Sequence, residues 1–444
     1  MKRTNIALLL LLAGLNRQAC AQVARFPFDF NGKEIFIKLS VQGSPPMDFI
    51  FDTGTAGSSS IDSATAEKIG ISKANRQLVT VAGHGSARQY QIAAGLNAAL
   101  PGLELKGLNM TLINFDAFSG SAGFKLNGLI GDDIMNRYVT AVDFDQKEIK
   151  LYDQIGQVDT TGYTGVAFDY YKGVNIPRFP MTITLASGEK LTGKVMFDTG
   201  NGTTLLVSTP FSLFHDLEHQ LGATVIAGGR GVSAATVDRL ALISQASLGG
   251  FDFGRMMIKL TVNPEAKPAD GYLGILGIDI IKRFNLILDY AHKKIYMKPN
   301  SLHREAFDLA EYDRLIAPVL AADTFLKANQ TRPGVKTTAS GLQYWVVRQG
   351  KGPLPAAGDK VKLYYTAKLP DGKVVSGPFD ASKPFSHHLD KALPGIREAV
   401  LMMPVGSKYE LYIPAALGFG EAGYGDVPAG AVLICELEVA GIEK

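Results

Sequence analysis

The sequence predicts a mostly β protein in which one β-rich unit occurs twice in tandem, with pseudo-two-fold symmetry between the copies. Two observations support the tandem copies. The segment GLIGDDIMNRYVTAVDFDQKEIKLY, which begins at Gly128, matches GILGIDIIKRFNLILDYAHKKIYMK, which begins at Gly274. Two Asp-Thr-Gly triplets begin at Asp52 and Asp198, and both pairs of features are 146 residues apart. A shared register of this kind indicates an internal duplication.

Each copy also contains a glycine-tipped segment at the same offset. These segments are VAGHGSA, with Gly83, His84 and Gly85, and AGGRGVS, with Gly229, Arg230 and Gly231. One short triplet recurs by chance, whereas three feature pairs in one register are strong support for a repeat. Residues about 25–155 and about 165–298 are therefore predicted to be the two copies.

Local sequence patterns make the repeated unit mostly β. The segments EIFIKLSV, DFIFDTG, KVMFDTG and KKIYMKP are rich in β-branched and aromatic residues and are typical of strands. We expect glycine-tipped hairpins at 79–92 and 225–238. Short helices are expected only near Ser63–Ile69 and Pro210–Leu221 within the copies.

The overall composition limits the classes of function. The chain has 444 residues, which is enough for two or three domains, and 46% hydrophobic with 20% charged residues is typical of a folded soluble protein. A formal net charge of +3 is too small to favour nucleic acid or an anionic membrane surface as a partner. Cys and His residues lack zinc-site spacing, so no metal or other cofactor is expected.

Residues 1–21 have the pattern of a secretory signal peptide. A positive start and a short apolar run lead to a small-residue cleavage site that ends at Ala21. We expect a periplasmic or secreted protein with no stable membrane span. Lipid attachment at Cys20 is the less favoured alternative, because Arg17 precedes it where apolar or small residues are preferred. The mature chain would retain only Cys435 and hence no internal disulfide.

The paired triplets suggest acid–base chemistry. If the copies pack about a pseudo-two-fold axis, Asp52 and Asp198 face each other across it. Two carboxyl groups a few ångströms apart share one proton and titrate together. The charged member can then take a proton from water while the neutral member donates to a peptide carbonyl.

Neighbouring residues fit this geometry. Glycines permit close backbone approach, threonines can hydrogen-bond across the axis, apolar-Gly pairs can pack under each loop, and the hairpins can close over an extended peptide. The supporting residues are Thr53, Gly54, Thr199, Gly200, Gly131 after Ile130, and Gly277 after Leu276.

This constellation resembles the retropepsin and pepsin clan of aspartic peptidases, specifically bacterial proteins with two lobes on one chain. The resemblance covers about 25–298 and implies acid-protease-like lobes at 22–158 and 159–298. It also implies an aspartic endopeptidase in which Asp52 and Asp198 activate the hydrolytic water.

Two departures and two alternatives accompany this resemblance. Thr55 and Asn201 stand where the family often has a small residue, so the hydrogen bonds behind the carboxyls are expected to differ. His84 and Arg230 at the flap tips suggest asymmetric substrate preference. Asp-Thr-Gly is also good turn chemistry, and an intact fold can bind peptide without cleaving it.

Residues 299–334 are predicted to form a helical connector. Leu309, Tyr312, Ile316 and neighbouring apolar residues recur at helical spacing. Pro318 is expected to break or kink this pattern, giving one or two helices. The connector could also form a homodimer contact.

The C-terminal segments SGLQYWVVRQGKGPLPAAGDKVKLYYTAKLPDGK and LPGIREAVLMMPVGSKYELYIPAALGFGEAGYGDVPAGAVLICELEV resemble FKBP-type prolyl isomerases of the Mip-like secreted bacterial kind. The resemblance covers 335–444 and implies an α+β domain, with a bent antiparallel sheet wrapped on a short helix near Leu393–Met402. It also implies a shallow aromatic pocket for prolyl bonds in polypeptides.

The resemblance assigns pocket residues position by position and reveals departures. Tyr365, Phe385 and Leu393 match the family. Phe419 replaces a tyrosine, Ile396 replaces a common aromatic, and Cys435 replaces an aromatic wall residue. Val375-Ser376 stands where a Phe-Asp pair is expected, unless Phe379-Asp380 supplies that pair. These changes favour weak or absent isomerase activity with binding of unfolded chains retained.

The sequence alone therefore favours a secreted aspartic endopeptidase whose FKBP-like domain isomerises or binds proline-containing polypeptide. The alternative is a periplasmic peptide-binding chaperone, or a prolyl isomerase with inactive peptidase lobes. The pair of triplets supports the first interpretation, and the C-terminal resemblance supports the second.

Overall fold

The computed structural model describes residues 22–55, 57–71, 77–81, 88–116, 125–171, 174–230, 235–377 and 383–443. The predicted signal peptide, the flap tip at Gly83–Gly85, Gly231 and the Phe379-Asp380 pair lie outside the described residues. The mostly β prediction is confirmed, since the described residues form sheets of six, ten, eight and seven strands.

The first copy of the repeat contributes eleven strands and two short helices within the described ranges. The strands are β1 (Gln22–Pro27), β2 (Asp29–Phe30), β3 (Ile35–Val41), β4 (Met47–Phe51), β5 (Ser59–Asp62), β6 (Gln77–Val81), β7 (Arg88–Leu100), β8 (Leu103–Ile113), β9 (Gly128–Ile130), β10 (Val139–Asp143) and β11 (Glu148–Tyr152). The helices are α1 (Ser63–Lys68) and α2 (Asp132–Met135), and a 3₁₀ turn covers Ile155–Gln157. Strands β2 to β9 form one sheet in the order β2-β3-β4-β9-β5-β8-β7-β6.

The second copy contributes thirteen described strands and three short helices. The strands are β12 (Thr164–Ala167), β13 (Asp169–Tyr171), β14 (Val174–Thr184), β15 (Lys190–Phe197), β16 (Leu205–Val207), β17 (Val225–Arg230), β18 (Ala235–Ile243), β19 (Gln245–Leu248), β20 (Phe251–Phe253), β21 (Met256–Thr261), β22 (Tyr272–Leu276), β23 (Phe284–Asp289) and β24 (Lys294–Pro299). The helices are α3 (Thr209–Phe214), α4 (Leu217–Gln220) and α5 (Ile278–Ile281). Nine strands follow the order β17-β18-β21-β16-β22-β15-β14-β19-β20, and β13 pairs with β14.

The sequence repeat is also a structural repeat. Strand β4 runs parallel to β9 with Phe49 opposite Gly128, and β15 runs parallel to β22 with Val195 opposite Gly274. Each of these positions in the second copy lies 146 residues after its equivalent in the first copy. In each copy the same short strand, β5 or β16, then pairs antiparallel with β9 or β22. The two copies therefore place their Asp-Thr-Gly loops at the same point of the same sheet.

A six-stranded sheet joins the two copies, in the order β1-β11-β10-β23-β24-β12. At its centre β10 pairs antiparallel with β23, and Ala141 lies opposite Ile287. Ala141 and Ile287 are themselves equivalent residues of the repeat, so the pseudo-two-fold axis passes between them. One continuous apolar core, which includes Phe51 and Phe197, extends through both copies.

The connector is a single helix, α6 (Ala310–Asn329), and it contains Pro318. Of the one or two helices expected there, the structure has one, so Pro318 does not divide the connector. Proline removes one backbone hydrogen bond, but both halves of the helix are held by packing. Tyr312 and Ile316 are buried against the β17–β18 hairpin, and Phe325 contacts the ring of Tyr412.

The apolar side of this helix thus packs inside the chain. The Tyr312 hydroxyl also donates to the Ala223 carbonyl at 3.0 Å, and the Asn329 amide donates to the Gln343 side chain at 2.8 Å. Homodimerisation through the connector stays a prediction. None of the helices in the described ranges has the length and apolar character needed to cross a membrane.

The C-terminal domain is an antiparallel sheet that packs on one short helix. Its strands are β25 (Val335–Thr337), β26 (Gln343–Arg348), β27 (Lys360–Lys368), β28 (Val374–Ser376), β29 (Phe385–His388), β30 (Lys408–Ile413) and β31 (Leu433–Glu443). The helix is α7 (Pro394–Leu401), and 3₁₀ turns cover Leu389–Lys391 and Ala415–Leu417. Leu393 precedes the first helical residue, as the sequence predicts to within one residue.

We predict that Gly277→Ala destabilises the second copy of the repeat by steric overlap. A methyl group at this position would lie 2.1 Å from the Thr203 carbonyl oxygen and 2.7 Å from that of Asn201. Overpacking against backbone costs about 1–3 kcal/mol, so the melting temperature in thermal unfolding should fall.

Gly254→Ala is the matched control, since no heavy atom lies within 4 Å of the added methyl group. Equal melting temperatures for the two variants would contradict the tight packing between the β22 end and the 201–203 loop.

Candidate functional site

The two Asp-Thr-Gly loops interlock through their threonines. The Thr53 amide donates to the Thr199 hydroxyl, and the Thr199 amide donates to the Thr53 hydroxyl, both at 3.0 Å. Each hydroxyl in turn donates to the opposite copy, Thr53 to the Phe197 carbonyl at 2.9 Å and Thr199 to the Phe51 carbonyl at 2.8 Å. Both threonines are almost fully buried. These four hydrogen bonds join the copies next to the carboxyl groups.

The glycines of the triplets let the two aspartates approach each other. A Cβ atom on Gly54 would lie 2.4 Å from the Asp198 Cγ, and one on Gly200 would lie 2.5 Å from the Asp52 Cγ. Each aspartate also accepts a hydrogen bond from the glycine amide of its own triplet, at 2.7 and 2.8 Å. Any side chain at Gly54 or Gly200 would therefore displace a carboxyl group.

The apolar-Gly pairs pack under the loops as predicted from the sequence. The Asp52 amide donates to the Ile130 carbonyl at 2.9 Å, and the Asp198 amide donates to the Leu276 carbonyl at 3.1 Å. A Cβ atom on Gly131 would overlap the Thr55 hydroxyl, at 1.6 Å. The sheet and the loop are thus in direct contact in both copies.

The carboxyl pair holds a proton more strongly than isolated aspartates do. Burial raises the pKa of Asp52, and burial followed by the charge of Asp52 raises the pKa of Asp198 well above its usual 3.8. A hydrogen bond joins the two carboxyl groups, so they titrate as a pair. One proton is therefore shared by the pair over a wide pH range.

The residues after the triplets make different contacts in the two copies. The Thr55 hydroxyl donates to the Asp52 carbonyl at 2.9 Å, whereas the Asn201 side chain accepts from the amide and the hydroxyl of Thr203. The surroundings of the two carboxyls are thus not symmetric.

The described residues include only part of the predicted flaps. Gly229 and Arg230 lie in β17, where they pair with Thr236 and Ala235 of β18. Gly83, His84, Gly85 and Gly231 fall outside the described residues, so a role of the flaps over the carboxyl pair stays a prediction.

Two groups near the carboxyl pair are not evident from the sequence. Asp132 is buried and accepts the Gly57 amide at 3.0 Å, and burial raises its pKa. The buried Tyr290 hydroxyl has no hydrogen-bond partner among the described residues, and burial raises its pKa. The repeat gives a partial signal, because Tyr290 stands where the first copy has Phe144.

The C-terminal domain contains a separate, apolar cavity of about 460 Å³. The cavity lies between the sheet and α7, and its walls include all five residues that the sequence assigns to a prolyl pocket. These residues are Tyr365, Phe385, Leu393, Ile396 and Phe419. The rings of Tyr365 and Phe385 meet edge to face, with centroids 6.2 Å apart.

Apolar surface predominates in this cavity, and polar or charged side chains such as His387, Lys391 and Asp426 also line it. The Tyr365 and Ser376 hydroxyls lie 3.2 Å apart, while the alternative pair Phe379-Asp380 lies outside the described residues. Cys435 is buried in the wall, and burial raises the pKa of its thiol to about 12. The thiol is therefore neutral and contributes apolar surface.

One aromatic residue of the rim is not identified by the sequence analysis. The ring of Tyr424 stacks on Phe419, with centroids 5.5 Å apart and planes inclined by 14°. Tyr424 is 74% exposed and lines the mouth of the cavity. Its position five residues after Phe419 in a glycine-rich loop gives no periodic signal.

Comparison with known proteins identifies this second site. The family of FKBP-type peptidyl-prolyl cis-trans isomerases matches residues 352–440, and the family described as the domain amino terminal to FKBP-type peptidyl-prolyl isomerase matches residues 316–346. The FKBP-type 22 kDa peptidyl-prolyl cis-trans isomerase of Escherichia coli is 36% identical over 156 residues, which are 35% of this chain and 73% of that protein.

Two further comparisons cover the same part of the chain. The FKBP-type peptidyl-prolyl cis-trans isomerase FkpA of Aeromonas hydrophila is 43% identical over 122 residues, 28% of this chain and 46% of that protein. A solved peptidyl-prolyl cis-trans isomerase from Pseudomonas syringae is 32% identical over 29% of this chain and 95% of that chain, with a TM-score of 0.27. The matched part thus spans about half the length of the Aeromonas relative.

The cavity and the matched sequence together define a domain of the prolyl isomerase class. Through this C-terminal part, the chain belongs to the FKBP-type peptidyl-prolyl cis-trans isomerase family.

The prediction of an aspartic endopeptidase is wrong on these findings. The family matches lie within 316–440, outside both copies of the repeat, and they identify a prolyl isomerase. That prediction rested on the paired triplets and on a resemblance to a peptidase clan, and neither establishes an activity. Interlocked Asp-Thr-Gly loops also hold two β units together, and a fold does not by itself define a reaction.

We predict that the carboxyl pair makes stability depend on pH. A raised pKa means that the folded chain binds more protons than the unfolded chain between about pH 4, the usual range of a free aspartate, and the raised pKa. The free energy of unfolding therefore falls as pH rises through that interval. In Asp198→Asn, the fall in melting temperature from pH 4 to pH 8 should be shallower than in the wild type.

Asp252→Asn, at an exposed position on β20, is the control and should follow the wild-type curve. If Asp198→Asn also follows that curve at every pH, the folded pair does not hold the extra proton.

Proposed function

We propose that the protein catalyses cis–trans isomerisation of prolyl bonds in extended or unfolded polypeptides, at the cavity of its C-terminal domain. The observation that supports this most directly is the aromatic cavity with Tyr365, Phe385 and Phe419 in its walls. We further propose that the protein acts in the periplasm or outside the cell, after removal of residues 1–21.

The reaction needs no covalent intermediate. Rotation about a peptide C–N bond is opposed by amide resonance, with a barrier of about 18–20 kcal/mol. The planar amide is more polar than the twisted one, so an apolar cavity that excludes water destabilises the planar form relative to the twisted form. Catalysis here is therefore mainly a matter of burying the prolyl ring and desolvating its amide.

The cavity has the correct shape for this task. The rings of Phe385 and Tyr365 meet edge to face in its wall, and Leu393 and Ile396 add apolar surface. Its volume of about 460 Å³ exceeds that of one prolyl side chain, which leaves room for the residue before proline. The Tyr365 hydroxyl, next to Ser376, supplies the polar group near that residue.

Binding without isomerisation is the second candidate, and one observation favours it. Phe419 carries no hydroxyl, although it lies in the cavity wall where the resembling family has a tyrosine donor. A cavity that holds proline but cannot hydrogen-bond the twisted carbonyl would bind polypeptide as a chaperone does.

We predict that Phe385→Ala lowers the kcat/KM for isomerisation of a proline-containing tetrapeptide by about tenfold or more. Removal of an aromatic wall takes away both contact area and water exclusion, and each 1.4 kcal/mol lost corresponds to a factor of ten. Exchange NMR measures the isomerisation rate directly, so no protease-coupled assay is needed. Trp345→Ala, in an exposed aromatic outside the cavity, should leave the rate unchanged.

We also predict that Phe419→Tyr raises kcat without tightening binding. The added hydroxyl would donate to the carbonyl oxygen as the amide twists, which is a contact of the transition state. If the wild type and Phe419→Tyr both bind the peptide but neither accelerates exchange, the binding-only candidate is correct.

A further inference from the structure

The prolyl cavity shares a loop with the second copy of the repeat. This loop, Gly418–Gly430, provides Phe419, Tyr424 and Val427 to the cavity wall. It also carries Glu421, whose carboxylate points away from the cavity and onto the β17–β18 hairpin. One short segment therefore touches both the proposed substrate site and the tandem β unit.

Glu421 forms an ion pair with Arg239 of β18. The Arg239 Nη1 lies 2.8 Å from the Glu421 Oε2, and the Arg239 Nε lies 3.1 Å from the Glu218 Oε1. Nη1 also donates to the Thr224 hydroxyl at 3.4 Å. The Arg239 side chain is 18% exposed, so this planar fork is held in one orientation by the second copy. Among the described ion pairs, it alone joins the tandem unit to the C-terminal domain.

A second contact fixes the other end of the loop. Val319 of α6 lies against Gly430, where an added Cβ atom would be 2.6 Å from its Cγ2. The same helix is anchored on the hairpin, because Tyr312 and Ile316 are buried with Val225 and Leu240. Arg239 and Val319 therefore contact the loop from the same side, which is formed by the β17–β18 hairpin and α6.

The loop is stiff enough to transmit this restraint. Tyr424 and Val427 exchange backbone hydrogen bonds of 3.0 and 2.9 Å, and the Gly430 amide donates to the Gly420 carbonyl at 3.1 Å. The Phe419 ring then stacks on Tyr424. A displacement of Glu421 would thus move the aromatic rim of the cavity with it.

We propose that Arg239 is a positioning residue of the prolyl site, acting through Glu421 to hold Phe419 and Tyr424 against an incoming polypeptide. This inference rests on the proposed function. Arg239 does not touch the substrate. It restricts the conformations of the rim before the polypeptide binds. Less conformational entropy is then lost on binding, and such pre-organisation strengthens affinity. The tandem unit then contributes to prolyl recognition, although the cavity lies in another domain.

The test is a double-mutant cycle on the full mature chain. Arg239→Met and Glu421→Gln should each raise the KM for a proline-containing peptide by about threefold, the size typical of a partly exposed ion pair, with kcat little changed. The double variant should show the same rise as either single variant, because all three lose one contact. The difference from the wild type should shrink at high ionic strength.

One control separates positioning from general destabilisation. Arg348→Met breaks an ion pair within the C-terminal domain, with Glu438 at 2.6 Å, that does not involve the loop. This variant should keep the wild-type KM. Additive effects in the cycle, or a KM unchanged by Arg239→Met, would overturn the inference. A wild type that neither binds nor isomerises the peptide would instead refute the proposed function.

Discussion

The architecture of the tandem β unit depends on the pairing of β10 with β23 about a pseudo-two-fold axis. Ala141 lies opposite its own equivalent, Ile287, so the repeat can close on itself only in this register. A slip of one residue would move every side chain of the slipped strand to the opposite face of the sheet. The same register brings Thr53 and Thr199 within hydrogen-bonding distance. The carboxyl pair is therefore a consequence of how the copies join.

Sequence reasoning recovered the features that follow from local spacing. The offset between Gly128 and Gly274 predicted the duplicated sheet, and the triplets predicted the threonine contacts. It left alternatives open where a distant contact decides the outcome, as between one connector helix and two. Pro318 stays within a helix because Tyr312 and Phe325 pack on different domains, which no local pattern contains. The rim residue Tyr424 was missed because its loop position has no periodicity.

The error about function has a different origin. Asp52 and Asp198 face each other with raised pKa values, as the sequence predicts. The family matches, however, lie at the other end of the chain. The two carboxyl groups lie close together because two loops cross. An enzymatic activity requires a complete site, which the fold alone does not establish. Tyr365 and Phe385 do line one cavity, and their role in a prolyl site stays a prediction that rests on a resemblance over the whole domain rather than over a few triplets.

The buried thiol of Cys435 gives the C-terminal domain an internal reporter. The chain has two cysteines, at 20 and 435, and Cys435 lies on β31 in the cavity wall with 1% exposure. A thiol reagent can react with it only when the cavity wall opens, so the rate of alkylation measures how often this opening occurs. A bound polypeptide would slow that rate, and labelling kinetics would then count occupied cavities without any measurement of isomerisation.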